Sequence, residues 1–267
     1  MDKDNKLNIV GVIPARMAST RFPGKPLAKI CGIPMVGHVY FRSKISKILD
    51  DVYIATCDEE IAKYAESIGG KAVMTASTHE RASDRTQEAM LKIERQTGRR
   101  VDIVVMIQGD EPMFYPAMID EVMAPMIADR SIEIVNLMSE ITSRSEQDDP
   151  NVVKVVASLD NQALYFSREP IPSRKKAGNN TYHMYKQVAI IPFKRDFLIK
   201  YSALKPTPHE IIESVDMLRL LEHGYKIKMA VTNFSTSGVD TPADLQRVEK
   251  LMANDTLLPG YREKESR

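Results

Sequence analysis

The sequence predicts an α/β protein built on a doubly wound, mostly parallel sheet, with a β-rich lobe inserted at about residues 150–205. Three observations carry this. Apolar runs of strand length alternate with segments of helical periodicity through the first half of the chain, which is the rhythm of a parallel sheet covered by helices on both faces. The rhythm breaks after about residue 150, where two short strands joined by a turn at Asp160-Asn161 read as a pair. The 267 residues, 43% hydrophobic and 27% charged, suffice for one large domain of ordinary globular composition.

Each element follows from local pattern. Residues 7–14 (LNIVGVIP) form a continuous apolar run, as a strand buried on both faces requires. Residues 34–48 carry Met35, Val39, Arg42 and Ile45 along one side of a helix. Residues 51–56 are the next strand, and Asp58 stands where it can cap a helix over 59–68 that stops at Gly69-Gly70. A short strand over 72–75, a helix over 83–96 and a buried strand over 101–107 follow, the last running into Gln108-Gly109-Asp110. Residues 116–128 read as a helix and 133–138 as a strand. Beyond the break, 152–158 and 163–167 are paired strands, and 173–181 (SRKKAGNNT) is a polar, mobile loop. Residues 186–192 are a strand, 194–203 and 209–222 helices, the second ending at Gly224, and 226–232 a strand. The last helix spans 241–252 with Pro242 in its first turn, where proline is tolerated. The tail, 253–267, is polar and expected to fray. The whole, 1–267, reads as one domain.

Composition narrows the function. A formal net charge of +1 supplies no global field toward nucleic acid or a membrane, so neither is expected as a partner. The apolar stretch near the N-terminus is only a strand long and no later run reaches membrane length, so the expected location is cytoplasmic. Two cysteines, Cys31 and Cys57, without a CxxC, fit a reducing compartment. The five histidines are scattered, which argues against zinc. The fifteen methionines read as core filler. Ser19, Ser83 and Ser167 lack a Gly-x-Ser-x-Gly setting, which argues against a hydrolase nucleophile.

The chemistry is sought where open α/β sheets bind ligands, at the carboxyl ends of strands. The first strand runs into Pro14-Ala15-Arg16-Met17-Ala18-Ser19-Thr20-Arg21-Phe22-Pro23-Gly24-Lys25-Pro26. Cations, hydroxyls and backbone amides gathered after a strand suit a polyphosphate better than they suit a merely solvated loop, although this is neither a Walker A loop nor GxGxxG. Asp110, after another apolar strand, is either a Mg²⁺ ligand or an acid of the turn; Mg²⁺ usually takes only one or two protein carboxylates. Asp240 is either the cap of the last helix or a second metal ligand. Gln108 and the segment from His79 to Arg85 are polar groups at strand ends, suited to a base or ribose.

These motifs occur in an order that resembles the 3-deoxy-manno-octulosonate (Kdo) cytidylyltransferases, also called CMP-Kdo synthetases. IPARMASTRFPGKPLAKICGIPMVGHVY resembles that family's opening, and IQGDEP, DDPNVVKVV, ALYFSR and GVDTPADLQRV its later motifs. The likeness spans about residues 7–252. It implies a Rossmann-like fold whose β-rich lobe serves dimerisation and the substrate, and a homodimer. It also implies CMP transfer from CTP to a sugar acid with release of pyrophosphate and with Mg²⁺ as cofactor. By the same likeness, Arg16, Lys25 and Asp110 carry the catalysis, and Pro14, Ala15, Ser83, Arg85 and Gln108 join Arg16 and Lys25 around the nucleotide. Arg168, Gln187, Glu213 and Asp216 face the sugar acid, and Asp110 and Asp240 ligate the metal.

Three stretches depart from the family pattern. Arg81-Ala82-Ser83-Asp84-Arg85 stands for Ser-Gly-Thr-Asp/Glu-Arg, Gln187-Val188-Ala189-Ile190-Ile191 for His-Leu-Gly-Ile-Tyr, and Asp216-Met217-Leu218-Arg219 for Glu-Gln-Leu-Arg. The last two segments line the family's sugar pocket, so the expected acceptor is one other than plain Kdo. The rival functions are CMP transfer to another ulosonic acid or a phosphonate, and a non-catalytic nucleotide-binding regulator.

Overall fold

The computed structural model describes residues 6–18, 22–177 and 182–265. The chain divides into two compact units, residues 1–119 with 236–267, and residues 120–235.

The first unit opens with β1 (Ile9–Pro14), a short hairpin of β2 (Lys29–Ile30) and β3 (Ile33–Pro34), and α1 (Met35–Ser43). Strand β4 (Asp51–Thr56), α2 (Glu59–Ser67), β5 (Lys71–Met74), α3 (Ala82–Thr97) and β6 (Ile103–Ile107) follow, and α4 (Ala117–Ala128) leads out of the unit. The parallel strands run in the order β5-β4-β1-β6. The apolar runs of β1 and β6 are buried almost throughout. The chain adds β4 and β5 on one side of β1 and then crosses to place β6 on the other. The carboxyl ends of β1 and β6 therefore border the point where the winding reverses, the crevice that holds ligands in such sheets.

The second unit contains β7 (Val135–Glu140), α5 (Arg144–Asp148), β8 (Lys154–Ala157), β9 (Ala163–Ser167), α6 (Arg174–Ala177), β10 (Tyr185–Val188), β11 (Ile190–Lys194), α7 (Arg195–Ser202), α8 (Pro208–Glu213), α9 (Met217–Glu222) and β12 (Lys228–Thr232). Its sheet has the order β12-β7-β10-β8-β9. Only β12 and β7 are parallel; the other pairs are antiparallel. Residues 150–205 lie wholly within this unit, with β7 and β12 beside them in the sheet. The βαβα rhythm had put β7 with the first sheet; backbone pairing gives it to the second.

The chain returns to the first unit with α10 (Pro242–Met252) and α11 (Leu258–Glu265). The expected frayed tail is thus partly a docked helix. Its Leu258 and Tyr261 are buried, and the Tyr261 hydroxyl lies 2.9 Å from His38 Nδ1. Asp255 holds the first turn by accepting from the amides of Leu257 and Leu258 at 2.9 and 3.0 Å, and stands 2.7 Å from buried Arg42. Polar composition hid a few well-spaced apolar side chains.

Other expectations shift for local reasons. Helix α1 ends at Ser43, because the chain unwinds through tight turns at Ile45 and Ser46 on its way to β4. The expected helix 209–222 breaks at Ser214, whose φ of 51° is left-handed. The two pieces are held together by Arg219, which donates from Nε and Nη2 to the carboxylate of buried Glu210 at 2.7 and 2.6 Å. Of the loop expected at 173–181, residues 174–177 form α6, with Arg174 donating to Gln147 and Asp148; residues 178–181 lie outside the described residues.

Candidate active site

Three segments meet at the reversal point of the first unit: the one leaving β1, the one leaving β6 and the one entering α10. Lys25 joins them. Its Nζ donates to Asp110 Oδ2 at 3.0 Å, to Asp240 Oδ1 at 3.3 Å and to the Val239 carbonyl at 2.9 Å, an acceptor for each of its three hydrogens. The Val239 amide donates to the Asp110 carbonyl at 2.9 Å. The Lys25 side chain is 13% exposed, and those of Asp110 and Asp240 are 32% and 27% exposed. Burial pulls the Lys25 pKa down, but attraction to Asp110 and Asp240 outweighs it and leaves the pKa raised. The ammonium therefore stays charged at neutral pH.

Geometry removes the capping reading of Asp240. Thr241 is the N-cap of α10: its hydroxyl accepts from the Asp244 amide at 3.2 Å, and Asp244 accepts from the Thr241 amide at 3.0 Å. Asp240 is not the cap, and its carboxylate turns to Lys25. Asp110 sits in the turn after β6, well ahead of α4, and its side chain also turns to Lys25. Two carboxylates around one cation suit a hard divalent ion that completes its shell with water and phosphate oxygens. Among the described residues no cluster of three or more His, Cys, Asp or Glu is placed to hold a metal.

The loop that delivers Lys25 is closed by its own backbone. The Gly24 amide donates to the Met17 carbonyl at 3.1 Å, and the Met17 amide to Asp58 Oδ2 at 2.8 Å. Gly24 has φ 74°, which a side chain would strain, and Lys25 then opens a short 3-10 turn. The amides of Ala15, Met17, Gly24 and Lys25 are thus committed to Ala55, Asp58, Met17 and Phe22. Those four amides are taken by the protein, and Arg16 and Lys25 are the cationic groups of the described part of this loop. Ser19, Thr20 and Arg21 lie outside the described residues. Gly109 is not forced by crowding, since a Cβ there would meet Pro14 O at 3.4 Å and Ile13 Cγ2 at 3.6 Å.

Arg16 and Arg85 approach one acceptor. Both donate to the His79 carbonyl, at 3.5 and 3.4 Å, and Arg85 also donates to the Thr75 hydroxyl. Arg85 and Ser83 are buried at the start of α3, Pro14 ends β1 and Ala15 follows it, and Gln108 follows β6 half-buried. Glu88 holds the His79 loop from α3, accepting from the Ala76 amide at 2.9 Å and meeting His79 Nε2 at 2.5 Å. Burial raises the Glu88 pKa, but Lys92, the Ala76 amide and His79 together lower it to about 2.

A family model described as "Cytidylyltransferase" matches residues 10–227. A 3-deoxy-manno-octulosonate cytidylyltransferase of Geobacter metallireducens is 44% identical over 255 residues, 92% of this chain and 98% of the relative. One of Geobacter sulfurreducens is 41% identical over 255 residues, 92% of this chain and 100% of the relative. The solved structure of a CMP:2-keto-3-deoxy-manno-octonic acid synthetase complexed with CTP matches at TM-score 0.83 and 40% identity, covering 92% of this chain and 98% of that one. The chain belongs to the 3-deoxy-manno-octulosonate cytidylyltransferase family.

The residues that the likeness assigns to the sugar acid lie in the second unit of this cytidylyltransferase, and most are engaged with the protein. The Arg168 guanidinium donates to the carbonyls of Glu213 at 2.5 Å, Pro150 at 2.9 Å and Ser214 at 3.3 Å. Glu213 accepts from the Arg168 amide at 2.8 Å and the Ser167 hydroxyl at 2.9 Å. Gln187 Nε2 donates to Asn136 Oδ1 at 2.6 Å, and Asn136, fully buried, donates to the carbonyls of Leu137 and Val188 at 2.9 Å each. Asp216 precedes α9, where its carbonyl accepts from Tyr201 at 3.1 Å. Met217 is only 1% exposed and belongs to the core of the unit. It is therefore not the apolar pocket wall expected from its place in the motif.

Sequence reasoning missed the loop anchor Asp58, the Val239 carbonyl and the Glu88–His79 brace. Asp58 was visible but read as a helix cap, because an acid just before a helix is the cap signal. Nothing local marks the other two.

Proposed function

We propose that this protein transfers CMP from CTP to 3-deoxy-manno-octulosonate and releases pyrophosphate. The observation that carries the proposal is the meeting of Lys25, Asp110 and Asp240 from three distant segments at the reversal point of a parallel sheet. In the reaction a sugar hydroxyl oxygen bonds to the α-phosphorus as the bond to the β-phosphate oxygen breaks. Negative charge grows on both flanking oxygens, so fixed cations and exclusion of water lower the barrier. Lys25 keeps its charge through its two acid partners and, on this reading, would meet the departing pyrophosphate. Arg16, two residues beyond β1, would join it, and Arg85 steadies the neighbouring loop through His79 and Thr75. Asp110 and Asp240 would hold Mg²⁺, which supplies charge neutralisation at the phosphates when bound.

The relatives' printed acceptor supports 3-deoxy-manno-octulosonate here, and the burial of Met217 weakens the case for another that its segment made. A modified ulosonic acid is the second reading, favoured by Gln187, whose amide is held by Asn136 where the family motif has histidine. We further propose a cytoplasmic homodimer. Leu164 on β9 and Ile211 and Ile212 on α8 leave apolar side chains exposed on two elements tied together through Glu213. Among the described residues no helix is long and apolar enough to cross a membrane. The test is pyrophosphate release from CTP and Mg²⁺ with a panel of sugar acids. Release only with ulosonic acids is expected; none with any acceptor, from a folded protein, would refute the proposal.

A further inference from the structure

We propose that Asp58 is a positioning residue that sets the loop carrying Arg16 and Lys25 for CTP; the inference rests on the nucleotide site described above. Asp58 occupies the N-cap position of α2, with φ −108° and ψ 120°, yet its side chain makes no capping hydrogen bond. An N-cap aspartate ordinarily accepts from an amide of the first turn. Here the carboxylate turns away from the helix, and Oδ2 accepts from the Met17 amide at 2.8 Å, with Cys57 Sγ at 3.6 Å. The Met17 carbonyl in turn accepts from the Gly24 amide at 3.1 Å, one residue before Lys25. The segment after β4 is thereby linked through Met17 to Gly24, the neighbour of the residue that joins Asp110 and Asp240.

Asp58 is itself held, because its amide donates to the hydroxyl of buried Thr56 at 3.0 Å. Helix α2 does without its cap because Glu59 and Glu60 already place negative charge in its first turn. A serine or asparagine would cap a helix as well, and without adding a negative charge near a polyphosphate site. A local rule broken at a ligand crevice, with a compensating contact to the binding loop, marks function. An accepting carboxylate also removes the Met17 amide from phosphate binding, which leaves recognition to the side chains that the anchor places.

Two variants and two readouts test this. Asp58→Ser keeps an oxygen for capping α2 but is too short to reach Met17; Asp58→Asn keeps an oxygen that reaches. In Asp58→Ser, hydrogen exchange at the Met17 amide should accelerate about tenfold or more, the charge-assisted bond being lost. Titration of CTP with Mg²⁺ should show affinity about tenfold weaker, with KM for CTP rising more than kcat falls, and without loss of melting temperature. Asp58→Asn should recover most of the affinity. Unchanged exchange at Met17 would overturn the anchor. Faster exchange with wild-type CTP affinity and KM would overturn the positioning role alone. Failure of the wild-type protein to bind CTP would instead overturn the nucleotide reading beneath it.

Discussion

Asp240 and Thr241 are neighbours with separate jobs, and the pair of substitutions Asp240→Asn and Thr241→Ala separates binding chemistry from helix stability. The Asp240 carboxylate shares Lys25 with Asp110 and does not cap α10, although its amide donates to Asp244 at 3.3 Å. Its ion pair with Lys25 is partly solvated, with side chains 27% and 13% exposed, so the stability at stake is no more than about 1 kcal/mol. Asparagine also keeps an oxygen that accepts from Lys25. The charge lost, however, is one of two carboxylates at the site, and removal of one fixed electrostatic partner costs about 100–1,000-fold in turnover. Thr241→Ala removes the hydroxyl that accepts from the Asp244 amide, a cap worth about 0.5–2 kcal/mol, or a few degrees in a chain of this size. Asp240→Asn should therefore melt within about 2 °C of the wild type and release almost no pyrophosphate, while Thr241→Ala should melt lower and turn over nearly normally at 25 °C. Scanning fluorimetry with a coupled pyrophosphate assay on the three proteins decides it. Near-normal turnover in folded Asp240→Asn, or a larger loss of stability there than in Thr241→Ala, would refute the assignment.

Lys25→Met should weaken CTP binding at least tenfold while CMP binding changes less, because the lost cation serves the outer phosphates; calorimetric titration of both nucleotides reads this, and equal losses would move Lys25 away from them. His38 is buried, and burial lowers its pKa from 6.5 to about 4 against the hydrogen bond to the Ile30 carbonyl, so the fold holds it neutral. Its contribution to stability is complete above pH 6.5 and is lost as the pH falls through about 4, so urea midpoints between pH 7 and 4 should fall more steeply for the wild type than for His38→Gln. Glu210→Gln leaves Arg219 buried against a neutral partner and should cost about 3–5 kcal/mol; a loss below about 1 kcal/mol in urea unfolding would show that the pair is dispensable.

Much of this molecule was legible along the chain because the relevant signals are local. The runs 7–14 and 101–107 are uninterrupted and apolar, so their burial, and the polar loops that must follow them, can be read from short windows. The likeness of the motif around Arg16 and Lys25 named the cations for the same reason. Pairing is not local. Strand β7 looks like another strand of a parallel series and joins a mixed sheet, because the choice lies with partners far along the chain. The tail looks polar and docks through Tyr261 against His38 and Arg42, more than two hundred residues away in sequence.

The α/β class, the order of most elements, the family and the two acids worth testing could all be read along the chain. Periodicity and motif order survive in one dimension. Contacts between distant segments are needed to see that Asp240 pairs with Lys25 while Thr241 caps α10, that Asp58 leaves its helix to hold Met17, and that Met217 fills the core. For both aspartates the local sequence offered two partners of nearly equal merit. An aspartate before a helix can cap it or turn from it at a difference of about 1 kcal/mol, and which it does depends on what distant chain the fold brings within 3 Å.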